Sequence, residues 1–285
     1  MRGALTTDPR ALVARSVDAY RKVYRDYDAR HGEIFNATEQ ARLRAALARA
    51  AGEIRSTPAR RALDLGCGTG NVTAHLVALG LEVVAADVSP EFLAEVRRRF
   101  AGEPVETLEL DGIDLAPLPD ASLDLVAAYS VLHHVPDYLG MVREAVRVLR
   151  PGGVLYLDHE VNEEYWRGDG ALAELREALD ERRYPGWWRP TRKTWQRYLM
   201  PSKYVWALRQ RIDPLFWLDE ADIHVWAEDH VEWAAVEDVV RDEGGEIVAT
   251  EDYLVCRAEY PRDIYEAYRD RCSDMRLLVA RRSAA

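Results

Sequence analysis

The chain has 285 residues and a net charge of −11, from 49 acidic and 38 basic residues. It is long enough to bury a large core as one α/β domain with an insertion, and its acidic excess disfavours a phosphate backbone as a partner. Three cysteines are too few for a disulfide framework, and the sequence shows neither an apolar leader nor an apolar run of the ~20 residues that span a membrane. The composition therefore predicts a cytoplasmic protein that binds neither nucleic acid nor membrane.

Two helical segments are predicted before the first strand. Tyr20, Tyr24 and Tyr27 recur at helical intervals within residues 18–27, which places them on one face of a predicted helix. This face either packs against the core or covers a bound ligand, and Tyr27 is the candidate for a ligand contact. A second helix is predicted to begin near Thr38, whose hydroxyl would cap its N-terminus.

A glycine-rich turn after the first predicted strand is the most informative stretch. Apolar residues up to Leu65 indicate a buried parallel strand, residues 66–70 contain three glycines, and a helix is predicted over 71–79. A second strand over 81–86 places Asp87 at its carboxyl end. Open α/β sheets bind ligands at that edge, and an acid there can accept hydrogen bonds from both hydroxyls of a ribose. The pattern predicts a nucleoside site.

The glycine spacing distinguishes two kinds of nucleoside site. Dinucleotide sites carry G-x-G-x-x-G, so that a pyrophosphate lies on the helix N-terminus, whereas the glycines here are Gly66, Gly68 and Gly70. Asp64, just before the turn, would repel a pyrophosphate but suits a cationic amino-acid group. The turn resembles the first motif of the S-adenosylmethionine-dependent methyltransferases with a Rossmann-like fold, in which this loop lies against the methionine moiety.

Later segments extend the resemblance over residues 62 to 158. A third strand is predicted to end at Asp111, similar to the family position whose carboxylate accepts the exocyclic amine of adenine. Residues 118–135 resemble the fourth motif, whose strand end lies beside the reactive methyl group, and residues 149–158 are predicted to contain a helix stop and a fifth strand. The resemblance implies a doubly wound, mostly parallel α/β sheet of seven strands.

The resemblance also implies S-adenosyl-L-methionine as cofactor and S-adenosyl-L-homocysteine as product. The positions that it assigns to the cofactor are Tyr27, Asp64, Gly66, Cys67, Gly68, Gly70, Asn71, Asp87, Val88, Asp111, Gly112 and Ser130.

An aromatic-rich segment follows the fifth strand. All eight tryptophans lie between Trp166 and Trp233, and prolines divide this stretch into short pieces. The next core elements are predicted only at 231–241, 245–250, 263–271 and 275–280. We therefore predict N-terminal helices and a cofactor-binding core at 1–160, a mainly helical insertion at 161–230, and the remainder of the core sheet at 231–285. The insertion would form a lid that excludes water and holds the acceptor.

Histidines and acids mark the acceptor side of the predicted site. His133 and His134 follow the fourth strand, where an imidazole could take the proton of a hydroxyl acceptor. We favour His134, because the stretch is similar to cyclopropane-forming relatives in which a histidine at this place lines the acceptor site. The alternative is that the pair caps a helix or packs against the cofactor.

The candidate acceptor contacts are His159, Glu160, Trp166 and His224. A functional metal is the weaker interpretation of these side chains, since their spacing lacks the regularity of a dedicated metal site.

These features predict methyl transfer from S-adenosylmethionine to oxygen or nitrogen of a small, largely apolar or aromatic molecule, in specialised metabolism. Two alternatives stay open. One is a methyltransferase-like enzyme that uses the cofactor for a different reaction, and the other is a catalytically silent binding subunit, against which the intact Asp64, Asp87 and Asp111 count. The sequence does not identify the acceptor, and it leaves open whether the chain forms a homodimer.

Overall fold

The protein is organised around one seven-stranded sheet with helices on both faces. The computed structural model describes residues 8–56, 61–183 and 222–283. The strands are β1 (Arg61–Leu65), β2 (Glu82–Asp87), β3 (Val105–Glu109), β4 (Leu123–Tyr129), β5 (Leu149–Val161), β6 (Val225–Trp226), β7 (Asp229–His230), β8 (Gly245–Tyr253) and β9 (Met275–Arg282). The sheet order is β3-β2-β1-β4-β5-β9-β8, and β9 is antiparallel to both neighbours. This confirms the predicted doubly wound, mostly parallel α/β fold.

Helices connect the strands and cover both faces of the sheet. They are α1 (Pro9–Val23), α2 (Tyr27–Arg30), α3 (Ala37–Gly52), α4 (Asn71–Ala78), α5 (Pro90–Arg99), α6 (Tyr138–Val148), α7 (Glu163–Arg167), α8 (Gly170–Arg183), α9 (Trp233–Asp242) and α10 (Arg262–Tyr268). Among the described residues, no helix combines the length and the apolar character needed to cross a membrane.

The central strands are apolar because side chains on both of their faces are covered. Every residue of β4 is buried, as expected for a strand inside a parallel sheet. One face packs against α6 and α9 through residues such as Met141 and Val240. The other packs against α3 and α4 through Leu43, Leu47 and Leu76. This sandwich fixes the carboxyl ends of β1, β2 and β4 at one edge.

The N-terminal predictions need two corrections. The single helix predicted over 18–27 is wrong: α1 ends at Val23 and the short α2 begins at Tyr27. The capping role predicted for Thr38 is also wrong, because Asn36 is the N-cap and its Oδ1 accepts a hydrogen bond from the Glu39 N–H at 3.0 Å. Asn36 adopts an extended backbone, which brings its short side chain over the first turn.

The C-terminal elements follow the predicted order. After the insertion come α9, β8, α10 and β9, which complete the sheet. Within 161–230 the structure describes α7, α8 and the β6–β7 hairpin, and residues 184–221 with five of the tryptophans lie outside the described residues. Leu172 and Leu175 of α8 pack against Leu254 and Tyr265. The first part of the insertion is thus attached to the C-terminal part of the core, while the domain division stays a prediction.

Candidate functional site

The glycine turn lies between β1 and α4, and its three glycines have different structural roles. All have left-handed backbones, with φ of +68° at Gly66, +49° at Gly68 and +90° at Gly70. A Cβ at Gly66 would lie 2.5 Å from the Val131 side chain, and one at Gly70 would lie 2.5 Å from Phe100. A Cβ at Gly68 would meet nothing within 4 Å, so this glycine faces open space. Two glycines therefore permit close packing, and the third leaves room for a ligand.

Asp87 connects the glycine turn to the end of β2. Its Oδ2 accepts a hydrogen bond from the Gly68 N–H at 2.9 Å, and its Oδ1 accepts one from the Ser89 N–H at 2.8 Å. Burial raises the pKa of the Asp87 carboxyl to about 6, against the lowering effect of these backbone hydrogen bonds. Since each carboxylate oxygen has a second lone pair, Asp87 can still accept from hydroxyls of a ligand.

Asp64 and Asn71 form the polar end of the site. The carboxylate of Asp64 accepts hydrogen bonds from the Thr73 backbone N–H at 2.7 Å and from the Thr73 hydroxyl at 2.5 Å. Burial raises the pKa of Asp64 to about 7. Asn71 accepts from Gln40 through Oδ1, whereas its buried Nδ2 has no hydrogen-bond partner among the described residues. A buried amide donor of this kind fits a ligand oxygen, since leaving it unpaired costs free energy.

A largely apolar cleft extends from this polar end. It encloses about 740 Å³ of space, including the open solvent at its mouth. Its lining residues are Val13, Ser16, Tyr20, Tyr27, Leu65, Gly66, Gly68, Asp87, Val88, Phe92, Leu110, Gly112, Tyr129, Ser130, Val131, His134, Val135 and Met141. A smaller adjoining cavity is lined by Asp64, Cys67 and Asn71 among others. Helix α1 thus covers the cleft, which favours the ligand-covering interpretation of the tyrosine face.

Two predicted cofactor positions do not line either cavity. Asp111 is exposed and accepts a hydrogen bond from the Ile113 N–H at 2.9 Å, so its carboxylate stabilises its own turn. Gly70 is the N-cap of α4 and packs against Phe100. Gly112, next to Asp111, does line the cleft, and a Cβ there would lie 2.9 Å from Val13 of α1. The adenine role of Asp111 stays a prediction.

The end of β4 continues into a short 3₁₀ turn at Leu132–His134 that Glu160 supports. Glu160 Oε1 accepts hydrogen bonds from the Val131 and Leu132 N–H groups at 2.9 and 2.7 Å, and Oε2 lies 2.7 Å from His133 Nδ1. A bulge in β5, where His159 has a φ of +64°, sets Glu160 in this position. Glu160 therefore holds the turn rather than lining the cleft.

His134 lies at the centre of a group of polar side chains from three parts of the chain. Its Nε2 is 2.7 Å from the Tyr20 hydroxyl, and its Nδ1 is 3.3 Å from Asp222 Oδ1. His133 Nε2 is 3.9 Å from the same oxygen. The His133, His134 and Asp222 side chains each bring one atom within 4.8 Å of the others, a combination that is also used to bind divalent cations.

The other predicted acceptor contacts lie behind the cleft wall. His159 is buried and stacks on Tyr129 at 4.7 Å, and burial lowers its pKa well below the usual value. His224 lies 3.1 Å from the Val135 carbonyl oxygen through Nε2 and 2.6 Å from Asp229 through Nδ1. The Trp166 ring lies 4.7 Å from the His230 ring, in a tilted arrangement. None of these side chains lines the cleft that the described residues form.

A buried polar cluster lies beside the site. Asp158 is fully buried and accepts hydrogen bonds from both terminal nitrogens of Arg42 at 3.1 Å, from the Tyr156 hydroxyl and from the Tyr253 hydroxyl. The Arg42 guanidinium also lies 3.8 Å from the centre of the Tyr253 ring. This cluster joins α3, β5 and β8 below Tyr129, which lines both cavities.

Sequence reasoning did not identify several residues of the site. Ser16, Phe92 and Met141 line the cleft but carry no motif. The tyrosine spacing pointed to the helix face that includes Tyr20 without giving it a chemical partner. The contact of Asp222 with His134 was also missed, because nothing in the sequence connects an acid with a histidine 88 residues earlier.

Comparisons with known proteins agree with this geometry. Residues 63–157 match the family model described as a methyltransferase domain. A ubiquinone biosynthesis O-methyltransferase from Xanthomonas campestris is 35% identical over 102 residues, which cover 35% of this chain and 43% of that protein. An uncharacterised methyltransferase from Mycobacterium bovis is 46% identical over 99 residues, which cover 35% of this chain and 39% of that protein. Such matches span only 30% to 43% of the length of the curated relatives.

Solved structures share the fold over most of the chain. A chain from the complex between the Haloferax volcanii Trm112 methyltransferase activator and the putative methyltransferase has a TM-score of 0.56 at 18% identity, and the match covers 94% of this chain and 97% of that chain. A methyltransferase from Mesorhizobium loti has a TM-score of 0.51 at 19% identity, with 84% and 98% covered. At these identities the likeness shows the fold alone.

Proposed function

We propose that this chain, which contains a methyltransferase domain with a Rossmann-like fold at residues 63–157, binds S-adenosylmethionine in the cleft and transfers its methyl group to a small acceptor. The acceptor is an oxygen or nitrogen atom of a largely apolar or aromatic molecule. The observation that carries the proposal is the hydrogen bond from the Gly68 N–H to the Asp87 carboxylate, which connects the glycine turn to the end of β2 at this cleft.

The residues of the cleft fit the cofactor. Gly68 leaves open space where any side chain would intrude, and the buried Asn71 amide provides a donor for the carboxylate of the methionine moiety. Asp87 provides an acceptor for ribose hydroxyls, and the apolar wall that includes Val88 and Leu110 suits a base. Bound there, the cofactor would supply a methyl group made electrophilic by the adjacent sulfonium.

The acceptor side is the part of the cleft near the turn after β4. Val131, Val135 and Met141 line it and favour an apolar acceptor, while His134 is the titratable side chain positioned to remove a proton. We propose His134 as the base and His133, held by Glu160, as a support for it. The O-methyltransferase name of one relative favours oxygen as the methylated atom.

The proposal extends to the insertion after β5 and to the kind of acceptor. We propose that the insertion at 161–230 forms a lid over the acceptor, and its residues 184–221 lie outside the described residues. The net charge of −11 argues against a nucleic-acid acceptor. We propose a small molecule as the acceptor and a homodimer as the assembly that the chain can form.

Two measurements test the proposal. Calorimetry with S-adenosylhomocysteine should show one site per chain. Release of S-adenosylhomocysteine from S-adenosylmethionine should then appear with a member of a panel of phenols, catechols and amines, together with a methylated product. Absence of cofactor binding would refute the proposal, whereas binding with acceptor conversion but no S-adenosylhomocysteine would favour the alternative in which the cofactor serves a different reaction.

A further inference from the structure

We infer that the proton of the acceptor hydroxyl passes through Tyr20 to His134, and that Asp222 is the positioning residue that orients His134. This inference rests on the methyl-transfer function proposed above. It adds a catalytic residue from α1 and commits the acceptor to a hydroxyl, such as that of a phenol or an enol.

The first link is the contact between Tyr20 and His134. The Tyr20 hydroxyl lies 2.7 Å from His134 Nε2, a hydrogen-bonding distance, and both side chains line the cleft. Only 8% of Tyr20 is exposed, and its ring packs against Tyr27 at 6.1 Å and Phe92 at 5.5 Å. The phenol is therefore held in place, with its hydroxyl beside His134 in the wall of the cleft.

The second link is the carboxylate behind His134. Asp222 Oδ1 lies 3.3 Å from His134 Nδ1. A negative charge at this ion-pair distance favours the tautomer in which Nδ1 carries the hydrogen. Nε2 is then the proton acceptor, and the Tyr20 hydroxyl donates to it.

Hydrogen bonds fix the backbone beside Asp222 and the turn that carries His134. The backbone after Asp222 is fixed by hydrogen bonds from the Ile223 and His224 N–H groups to the His133 carbonyl oxygen, at 2.9 and 3.0 Å. Glu160 fixes the same turn from below through two backbone N–H groups. Such support is what a precise proton path requires, because proton transfer needs hydrogen-bonding distances to be maintained.

The proton and electron balance is simple. As the acceptor oxygen forms its bond to the methyl carbon, the carbon–sulfur bond breaks and its electron pair stays on sulfur. The acceptor hydroxyl gives its proton to the Tyr20 oxygen, and Tyr20 gives its own proton to His134 Nε2. The resulting imidazolium is stabilised by Asp222 and returns the proton to solvent after product release. An acceptor already ionised in solution would not need this path.

The deciding experiment is ¹⁵N NMR of the histidine rings in the full-length protein. The chain has seven histidines, and His134→Gln identifies the signals of His134. We expect His134 with hydrogen on Nδ1 and a lone pair on Nε2. Tyr20→Phe should shift the Nε2 signal, and Asp222→Asn should turn the Nε2–H tautomer from the minor into the major form. As a matched control, Asp229→Asn, which removes the carboxylate beside His224, should leave His134 unchanged.

Three outcomes would overturn the inference. One is a wild-type His134 that carries hydrogen on Nε2 and donates it to Tyr20. Another is uptake of one equivalent of Zn²⁺ or Mn²⁺ by the wild type but not by Asp222→Asn, which would make the cluster a cation site. The third is that amines are the only acceptors in the panel. Calorimetry with S-adenosylhomocysteine separates these outcomes from failure of the proposed function, since wild type and Tyr20→Phe should both still bind it.

Discussion

Asp87→Ala should weaken the binding of S-adenosylhomocysteine about 30- to 1,000-fold. The proposed site gives the two ribose hydroxyls a single carboxylate acceptor, and hydrogen bonds to a charged group of this kind are together worth about 2 to 4 kcal/mol. At about 1.4 kcal/mol for each factor of ten, this energy gives the expected range of affinity loss. Titration calorimetry of wild type and variant at one pH measures it directly.

The same substitution also removes a structural acceptor. Asp87 receives the N–H groups of Gly68 and Ser89, so the glycine turn of the variant loses its connection to β2. To separate this effect from the loss of ribose contacts, the 2′-deoxy analogue of the ligand should be compared with S-adenosylhomocysteine itself. Wild type should prefer the hydroxylated ligand by about tenfold or more, and Asp87→Ala should show little preference.

A matched control is available nearby. Asp114 Oδ1 accepts a hydrogen bond from the Ala116 N–H at 2.9 Å, in the same way that Asp87 Oδ1 accepts one from the Ser89 N–H. Asp114 does not line the cleft. Asp114→Ala should therefore leave the ligand affinity unchanged. If Asp87→Ala remains folded and binds as tightly as wild type, the assignment of the ribose to the end of β2 is refuted. An equal preference for both ligands in the wild type would refute it as well.

Three further predictions concern stability and its dependence on pH. Gly66→Ala should lower the free energy of unfolding by about 2 to 4 kcal/mol, because the added methyl would meet the Val131 side chain at 2.5 Å in a left-handed backbone. Gly68→Ala should lower it by only about 1 to 2 kcal/mol but should reduce the affinity for the ligand. Equal urea midpoints for the two variants would contradict this prediction. Burial raises the pKa of Asp64 to about 7, above the unfolded value near 4, so its contribution to apo-protein stability is greatest below pH 4 and is lost as the pH rises to 7. Asp64→Asn should accordingly gain stability relative to wild type as the pH rises from 4 to 7 in thermal scans, and a constant difference would show that the pKa of the carboxyl is not raised. Arg42→Ala should lower the free energy of unfolding by about 3 to 5 kcal/mol, because it leaves the buried carboxylate of Asp158 without its cation. Arg49→Ala on the same helix breaks an exposed ion pair and should lower it by less than about 1 kcal/mol in urea titrations. Similar losses in the two variants would contradict the importance of the buried pair.

The sequence alone predicted the architecture, and it identified the glycine turn and the acid that lie together at one end of the cleft. Apolar runs, the glycines at 66–70 and the acid at 87 act over short stretches of chain, so they predict a strand, a turn and a polar strand end without knowledge of the packing. The left-handed backbone at all three glycines is a local requirement, and it was visible as glycine spacing. The family resemblance then predicts a doubly wound, mostly parallel sheet of seven strands, whereas the strand order comes from the structure.

Tertiary structure decided the acceptor end. Glu160, predicted as an acceptor contact, instead holds the turn after β4, because a bulge in β5 changes the direction of its side chain. Tyr20 reaches His134 because α1 folds over the cleft, and the gap between α1 and α2 could not be read from tyrosine spacing. Asp222 meets the same histidine after a long intervening segment. Contacts of this kind depend on how whole helices and strands pack against one another, and local sequence patterns carry no information about which residues far apart in the chain come together.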